Sequence, residues 1–344
     1  MVVIGQTMTQ LQSFCMSEGL PKFAARQLCE WVYQKRVDNF DVMTNLSLKA
    51  RNRLKEIASV GVIHPAESQI SRDGTKKYLF KSSVAKRDGG SNYIETVYIP
   101  DRDRATLCVS CQVGCKMGCS FCYTGRQGFR GNLTVAEIVN QILAIPESGQ
   151  ITNVVFMGMG EPLDNYEAIR QTIEVLTAEW GLGWSPRRIT VSTVGVTPML
   201  KRLLDETECH VAVSLHNAFG EERAEMMPME RVYPIDQTIG LLKRYNWWGQ
   251  RRLSFEYTMF QGINDDISHA VQLVNLVRGL HCRVNLIRFH VSPDMPYRSS
   301  DRAVMTAFQD YLNSHGVVCT IRASRGEDIM AACGLLSGRA NESF

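Results

Sequence analysis

From Thr106 onward the chain alternates between two kinds of segment, and this alternation constrains the fold more than any other feature. Seven short runs rich in β-branched and aromatic residues (TLCVS, ITNVVF, RITVST, HVAVSL, LSFEYTM, RVNLIRF and VVCTIR) read as strands. Between them lie amphipathic runs at helical period: Thr134 to Ile145, Tyr166 to Glu179, Thr197 to Glu206, Ile235 to Tyr245, Ile267 to Leu280 and Asp301 to His315. Strands joined in this way return parallel to one another through helical crossovers. Six or seven units fall short of the eight that close a full barrel. The expected architecture is therefore α/β, with a partial (β/α)6-type barrel over residues 101–344. In a parallel barrel, reactive groups collect on loops after the C-terminal ends of the strands.

The first 100 residues read differently. Residues 1–60 are expected to form a small helical accessory domain. Pro21 opens a stretch with Phe23, Leu28, Trp31 and Val32 at roughly helical spacing, and Leu48 to Ala58 sets Lys49, Arg51, Arg53 and Lys55 around Leu54 and Ile57. Such cations are most often a solvated helix face, and RNA contact is the sharper reading. Residues 61–100 carry KYLFK and YIETVYI on either side of an Asp88-Gly89-Gly90-Ser91 turn, which predicts a β-rich linker between the two larger parts.

Bulk properties narrow the class without deciding it. The 344 residues are 44% hydrophobic and 21% charged, as in ordinary soluble proteins. No apolar run approaches a membrane span, and the N-terminus lacks the pattern of a signal peptide, so a cytoplasmic protein is expected. In that compartment, eleven cysteines favour metal or redox chemistry over disulfides. A net charge of +3 permits a nucleic-acid partner but does not argue for one.

The chemistry concentrates after the first strand. Cys115, Cys119 and Cys122, spaced C-x3-C-x2-C, can hold three irons of a cubane cluster and leave the fourth without a protein ligand. A structural zinc site more often shows two C-x2-C pairs or a Cys/His set. Cys111 precedes the loop and competes as a ligand; Cys115, Cys119 and Cys122 are preferred. After ITNVVF comes MGMGEP, whose glycines admit a ligand close to the backbone and whose Glu161 can accept hydrogen bonds from an amine. Ser192 and the Ser214-Leu215-His216 run end two further strands. Taken singly, each is more often a turn or a satisfied polar residue. Together they fall on one rim. Cys108 and Cys333, like Cys15, Cys29, Cys209, Cys282 and Cys319, read in isolation as buried small hydrophobes.

With Phe121 just before the last cysteine, the C-x3-C-x2-C loop resembles the radical S-adenosylmethionine superfamily. The fuller set is more specific: Leu107-Cys108-Val109-Ser110, Gln112-Val113-Gly114-Cys115, Thr124-Gly125 with Gln127-Gly128-Phe129, GMGEP, SLH, and Arg325-Gly326-Glu327-Asp328-Ile329 with AACG. Across nearly the whole chain these blocks resemble the RlmN/Cfr family of radical RNA methyltransferases. The resemblance implies a 4Fe-4S cluster on Cys115, Cys119 and Cys122. It also implies an S-adenosylmethionine pocket at Gly160, Glu161, Ser192, Ser214, Leu215 and His216. One further pocket position, usually Asn in the family, falls on His290, with Asn285 as the alternative.

By the same resemblance, Cys333 is methylated by one S-adenosylmethionine and a second supplies a radical that removes hydrogen from that methyl. The carbon radical adds to adenine, a base takes the ring proton, and Cys108 resolves the adduct through a transient disulfide. Glu95 matches the family's proposed base, although a Glu in an alternating strand is usually only its polar face. Pro162 and the Arg325-Gly326 pair favour methylation at adenine C2 over the C8 methylation of the Cfr branch. The implied partners are 23S rRNA, tRNA and an electron donor such as flavodoxin, with Arg126 and Arg130 as candidate RNA contacts beside the basic N-terminal helices. Two rivals remain: another radical enzyme with a non-RNA substrate, which would need neither Cys108 nor Cys333, and a zinc-containing, non-catalytic RNA-binding protein.

Overall fold

The computed structural model describes residues 1–86, 89–291 and 295–338. Helices α1 (Met8–Ser17), α2 (Ala24–Cys29) and α3 (Leu48–Ile57) form the N-terminal part, with α2 running into a π-helical turn, Glu30–Gln34. Thr7 and Gln10 close a capping box on α1, and Ser47 caps α3. Leu11, Leu28, Val32, Tyr33 and Leu54 share one apolar cluster. Phe23, expected on the apolar face, precedes the first turn of α2 and is 66% exposed. Two of the four cations of α3 are tied to neighbouring carboxylates, Arg53 to Glu18 at 2.8 Å and Lys55 to Asp41 at 2.6 Å.

Next come β1 (Glu67–Ile70), β2 (Lys76–Ala85) and β3 (Ser91–Asp101), which pair antiparallel in sequence order. The predicted hairpin is thus present, and Asp88 of its turn lies outside the described residues. The hairpin is continuous with the main sheet, because β3 also pairs antiparallel with β4 (Arg104–Cys108), setting Val97 opposite Cys108. The three strands therefore extend the parallel sheet at one edge.

From β4 the sheet is parallel through β7 (Asn153–Phe156), β8 (Ile189–Thr193), β9 (His210–Ser214), β10 (Leu253–Met259), β11 (Arg283–Arg288) and β12 (Val318–Ile321), after the short ribbon of β5 (Gln112–Val113) and β6 (Gly131–Asn132). Within these seven parallel strands the order follows the sequence, and β12 ends the sheet without pairing to β4, so the barrel stays open. Crossover helices α5 (Val135–Leu143), α6 (Tyr166–Thr177), α7 (Thr197–Glu206), α9 (Ile235–Leu242), α10 (Ile267–Val277) and α11 (Arg302–Ser314) join successive strands, giving six strand–helix units. Two shorter helices, α4 (Tyr123–Arg126) and α8 (Gly220–Met226), lie in loops. Alternation along the strands fits this arrangement: Val191, Val211, Phe255 and Val284 are fully buried against helix residues such as Ile169, Leu200 and Leu273. Among the described residues no helix is long and apolar enough to cross a membrane.

Candidate active site

A cavity of about 160 Å³ opens where the parallel strands end. Cys115, Cys119, Cys122 and Cys333 all line it, as do Gly160, Glu161, Ser192, Ser214 and His216. Residues distant in sequence thus reach one rim because β4, β7, β8 and β9 run parallel and stop together.

The cysteine loop is shaped before it meets any ligand. The ribbon of β5 and β6 closes its base, with Arg130 N donating to Val113 O at 2.9 Å. Gly114 sits at φ +71°, and a Cβ there would lie 1.8 Å from Gly128 O, so only glycine lets the two ends of the loop approach. Cys122 occupies the N-cap position of α4. Burial raises the thiols, Cys115 to about 12 and Cys119 well above its ordinary value, so without a metal they stay protonated. Cys111 points elsewhere: it is buried, its Sγ lies 3.6 Å from Met159 O, and it does not line the cavity. Among the described residues no three His, Cys, Asp or Glu side chains converge on one ion position. A cubane makes no such demand, since each thiolate takes its own iron. Three thiols on one cavity wall, beside polar groups, are a donor set that fits a 4Fe-4S cluster. Met117, Met226, Met227, Phe260 and Phe289 pack around this corner with Phe121 and keep it apolar.

The MGMGEP turn lies directly against the strand that precedes the cysteines. Cys111 N and Gln112 N both donate to Met159 O, at 2.8 and 3.1 Å. A Cβ on Gly160, whose φ is +101°, would meet Gln112 Cβ at 2.5 Å. The Glu161 carboxylate caps the turn that follows, accepting from Leu163 N at 3.1 Å and Val194 N at 3.0 Å. Burial dominates these bonds and pushes its carboxyl up to about 7. His216, at φ +55°, accepts from Thr258 N through Nδ1 at 2.9 Å and meets the edge of Phe121 at a centroid distance of 4.9 Å. Burial and Arg223 lower its imidazole to about 3, so it is neutral.

Not every predicted position faces the cavity. Leu215 is fully buried behind the rim, with its carbonyl accepting from Arg223 Nε at 2.9 Å. His290 is buried outside the lining, with Nδ1 3.3 Å from Glu327 Oε1 but misaligned for a hydrogen bond. Asn285 lies deeper in the barrel and bonds to Glu256 and Thr320 at 2.8 and 2.9 Å. Glu95 is 2% exposed and also outside the lining. Its Oε2 accepts from Ser337 N and Gly338 N at 2.6 and 3.0 Å, and its Oε1 pairs with Lys77 at 3.0 Å.

The same C-terminal stretch is pinned to the cysteine loop. Tyr123 N donates to Gly334 O at 2.9 Å, Thr124 Oγ1 to Leu336 O at 2.7 Å, and Gln127 Nε2 to Ser337 O at 2.7 Å. These bonds hold Cys333 with its side chain open to the cavity. Cys108, at the end of β4, is buried just outside the lining; burial and the neighbouring Cys333 raise its thiol to about 12.

Sequence reasoning passed over Arg322 and Arg223. Arg322 lies beside both Cys108 and Cys333, pairs with Glu256 at 3.3 Å and approaches Met157 Sδ at 3.9 Å. It ends the run VVCTIR, a strand terminus, which was the available signal. Arg223, on α8, is fully buried, pairs with Glu230, and donates to the carbonyls of Val194, Ser214 and Leu215, each at 2.9 Å. It thereby fixes the rim after two strands. Nothing local in the sequence marks it.

Comparison with known proteins places the chain in a family. Residues 109–274 match the Radical SAM superfamily model, and residues 3–60 match a ribosomal RNA large subunit methyltransferase N-terminal domain. The chain is 52% identical over 335 residues to a probable dual-specificity RNA methyltransferase RlmN of Phocaeicola vulgatus, covering 97% of this chain and 94% of that one. It is 42% identical to the dual-specificity RNA methyltransferase RlmN of Syntrophus aciditrophicus, covering 98% and 96%. A crystal structure of a radical SAM methyltransferase from Sphaerobacter thermophilus superposes with a TM-score of 0.91 at 38% identity, over 98% of this chain and all of that one. Fold and sequence shared over nearly their full length with these enzymes lead to one assignment: the chain belongs to the RlmN family of radical S-adenosylmethionine RNA methyltransferases.

Proposed function

We propose that the enzyme methylates C2 of adenosine, both in 23S rRNA and at the position 3′ of the anticodon in tRNA. The methyl is carried on Cys333 and released by Cys108, at two S-adenosylmethionine molecules per turnover. The observation that supports this most directly is that Cys333 lines the same cavity as Cys115, Cys119 and Cys122, with Cys108 near enough behind it to interact electrostatically.

Adenine C2 is electrophilic, so a methyl cannot pass to it directly as an electrophile and must first rest on a nucleophile. Cys333, open to the cavity, is that nucleophile. Cys115, Cys119 and Cys122 would hold the cluster, which when bound would supply the single electron that radical chemistry on S-adenosylmethionine requires. Once the S-methyl of Cys333 has lost a hydrogen, its carbon bonds to C2 and joins enzyme to RNA. Glu95 takes the ring proton, and the unpaired electron left on the base would go back to the group held by Cys115, Cys119 and Cys122. The Glu95 carboxylate is held by Ser337 N, Gly338 N and Lys77, so the proton transfer requires residues 337–338 to lift away. The Cys108 thiolate then bonds to the Cys333 sulfur as the sulfur–methylene bond breaks with its electron pair going to carbon; the methylene takes up a proton to become the methyl group, and the two sulfurs are left as a disulfide. Thiolate attack needs ionisation, which burial of Cys108 opposes and the nearby Arg322 guanidinium favours.

The helical residues 1–60, with Arg126 and Arg130, supply RNA contacts, and a flavodoxin-type donor supplies electrons in the cytoplasm. Cys108→Ala tests the assignment by blocking release. It is expected to trap a covalent RNA–protein adduct, seen as a mass or gel shift, whereas free RNA with full turnover removes Cys108 from the mechanism. Nucleoside analysis of rRNA and tRNA products should yield 2-methyladenosine from both; 8-methyladenosine would move the reading to the Cfr branch.

A further inference from the structure

A second cavity, of about 490 Å³, opens at the opposite end of the strands from Cys333. Its wall comes from strand starts, among them Thr190, His210, Ser254 and Arg283, whereas the catalytic cavity uses the strand ends. The two cavities meet only at Met157, Glu256 and Arg322. Five arginines line the lower one, Arg104, Arg251, Arg252, Arg283 and Arg322, against a single carboxylate, Glu256. That carboxylate is already taken by Arg322 at 3.3 Å, Asn285 at 2.8 Å and Ser254 at 3.0 Å. Arg251 reaches the exposed Glu208 at 3.5 Å. Among the described residues the guanidinium groups of Arg252 and Arg283 make no hydrogen bond or ion pair.

The resulting field is strong enough to act on its neighbours. Burial, with Arg252, Arg187, Arg104 and Arg251 around it, lowers the His210 imidazole to about 4. Burial and the like charges of Arg322 and Arg252 also lower Arg104. Beside the mouth, Trp248 is 79% exposed and stacks on the cavity residue His281, with centroids 4.1 Å apart and planes 18° apart. A flat aromatic platform next to uncompensated guanidinium groups presents two recognition chemistries at once: stacking for a base and forked hydrogen bonds for a phosphate. The volume is that of a small-ligand site.

We propose that this lower mouth binds a nucleoside phosphate, its base on Trp248 and its phosphate on Arg252 and Arg283. A free nucleotide and one nucleotide of an RNA strand present the same groups, and two probes tell them apart. The experiment uses cluster-loaded protein saturated with S-adenosylmethionine, so that the catalytic cavity does not take the probe. ADP is titrated by calorimetry, and a 5′-phosphorylated ten-nucleotide oligoadenylate by fluorescence anisotropy, each against wild type, Trp248→Ala and Arg252→Glu/Arg283→Glu.

Trp248→Ala should weaken binding roughly tenfold. The charge reversal should weaken it by more and flatten its salt dependence. Adenosine, which lacks phosphate, should bind at least roughly tenfold more weakly than ADP. Iron content and far-UV circular dichroism should match wild type in all variants, since none of the three residues lines the catalytic cavity. ADP binding without the oligonucleotide identifies a free-nucleotide site, and binding of both through the same residues identifies an RNA strand. Absence of both, or binding indifferent to the substitutions, overturns the proposal.

Discussion

At the scale of single residues, the rim depends on charges placed where water cannot reach them. Arg223 is fully buried and spends its guanidinium on Glu230 and three loop carbonyls. Removing it strands a buried carboxylate and three acceptors, so Arg223→Leu should cost about 3–5 kcal/mol in chemical denaturation. Adding Glu230→Gln should recover part of that, and a cost within experimental error would show that the rim holds without the pair. Glu161 gives a pH test. Its folded carboxyl is raised from 4.5 to about 7, so the folded state favours the proton. The stability it contributes is full below pH 4.5 and is lost as pH rises through 7, a swing of ~3 kcal/mol. In metal-free protein, the stability of wild type relative to Glu161→Gln should therefore fall by that amount between roughly pH 4.5 and 7.5. Taking the difference cancels the buried histidines, which titrate with the opposite sign. A flat difference would mean that Glu161 ionises normally.

At the scale of elements, the seven strands and six crossover helices were legible because each has its own period; two of the helices, α5 and α10, also carry a side-chain N-cap, Thr134 and Asp266. The cysteine loop and the MGMGEP turn were legible because their chemistry sits in contiguous residues. What escaped depends on pairing at a distance. Nothing in residues 91–101 says that β3 joins β4 and prolongs the sheet, and nothing in YIETVYI says that Glu95 will hold Ser337 and Gly338, more than 240 positions away. Arg322, the last residue of the run VVCTIR, becomes a neighbour of two thiols only once the barrel curls. The Glu95 contact makes β3 the anchor of the segment carrying Cys333. Glu95→Ala removes a charged acceptor from two backbone donors, each bond worth about 1.5–3 kcal/mol. Hydrogen exchange of the peptide spanning 330–338 should accelerate at least roughly tenfold, with Glu95→Gln in between. Unchanged protection would mean that α4 alone holds the segment.

At the scale of the whole molecule, the N-terminal helices and the barrel share apolar surface. Val139, Leu143 and Val175, on α5 and α6, belong to the same buried cluster as Leu11, Leu28 and Tyr33. The approach is close: a Cβ on Gly5 would lie 2.6 Å from Ala136 N, and Gly5 O accepts from Gln171 Nε2 at 2.7 Å. Sequence composition set residues 1–60 apart, because helical spacing gives way to β-rich runs near residue 61, but composition carries no record of what a helix face packs against. A chain spanning 61–344 would bare three aliphatic side chains on adjacent helices, each worth about 1.5–3 kcal/mol when buried. It should lose on the order of 5 kcal/mol in denaturant unfolding, bind a hydrophobic dye and self-associate in gel filtration. A monomer with wild-type stability would instead make the N-terminal helices a detachable module, leaving RNA contact as the main reason for their presence.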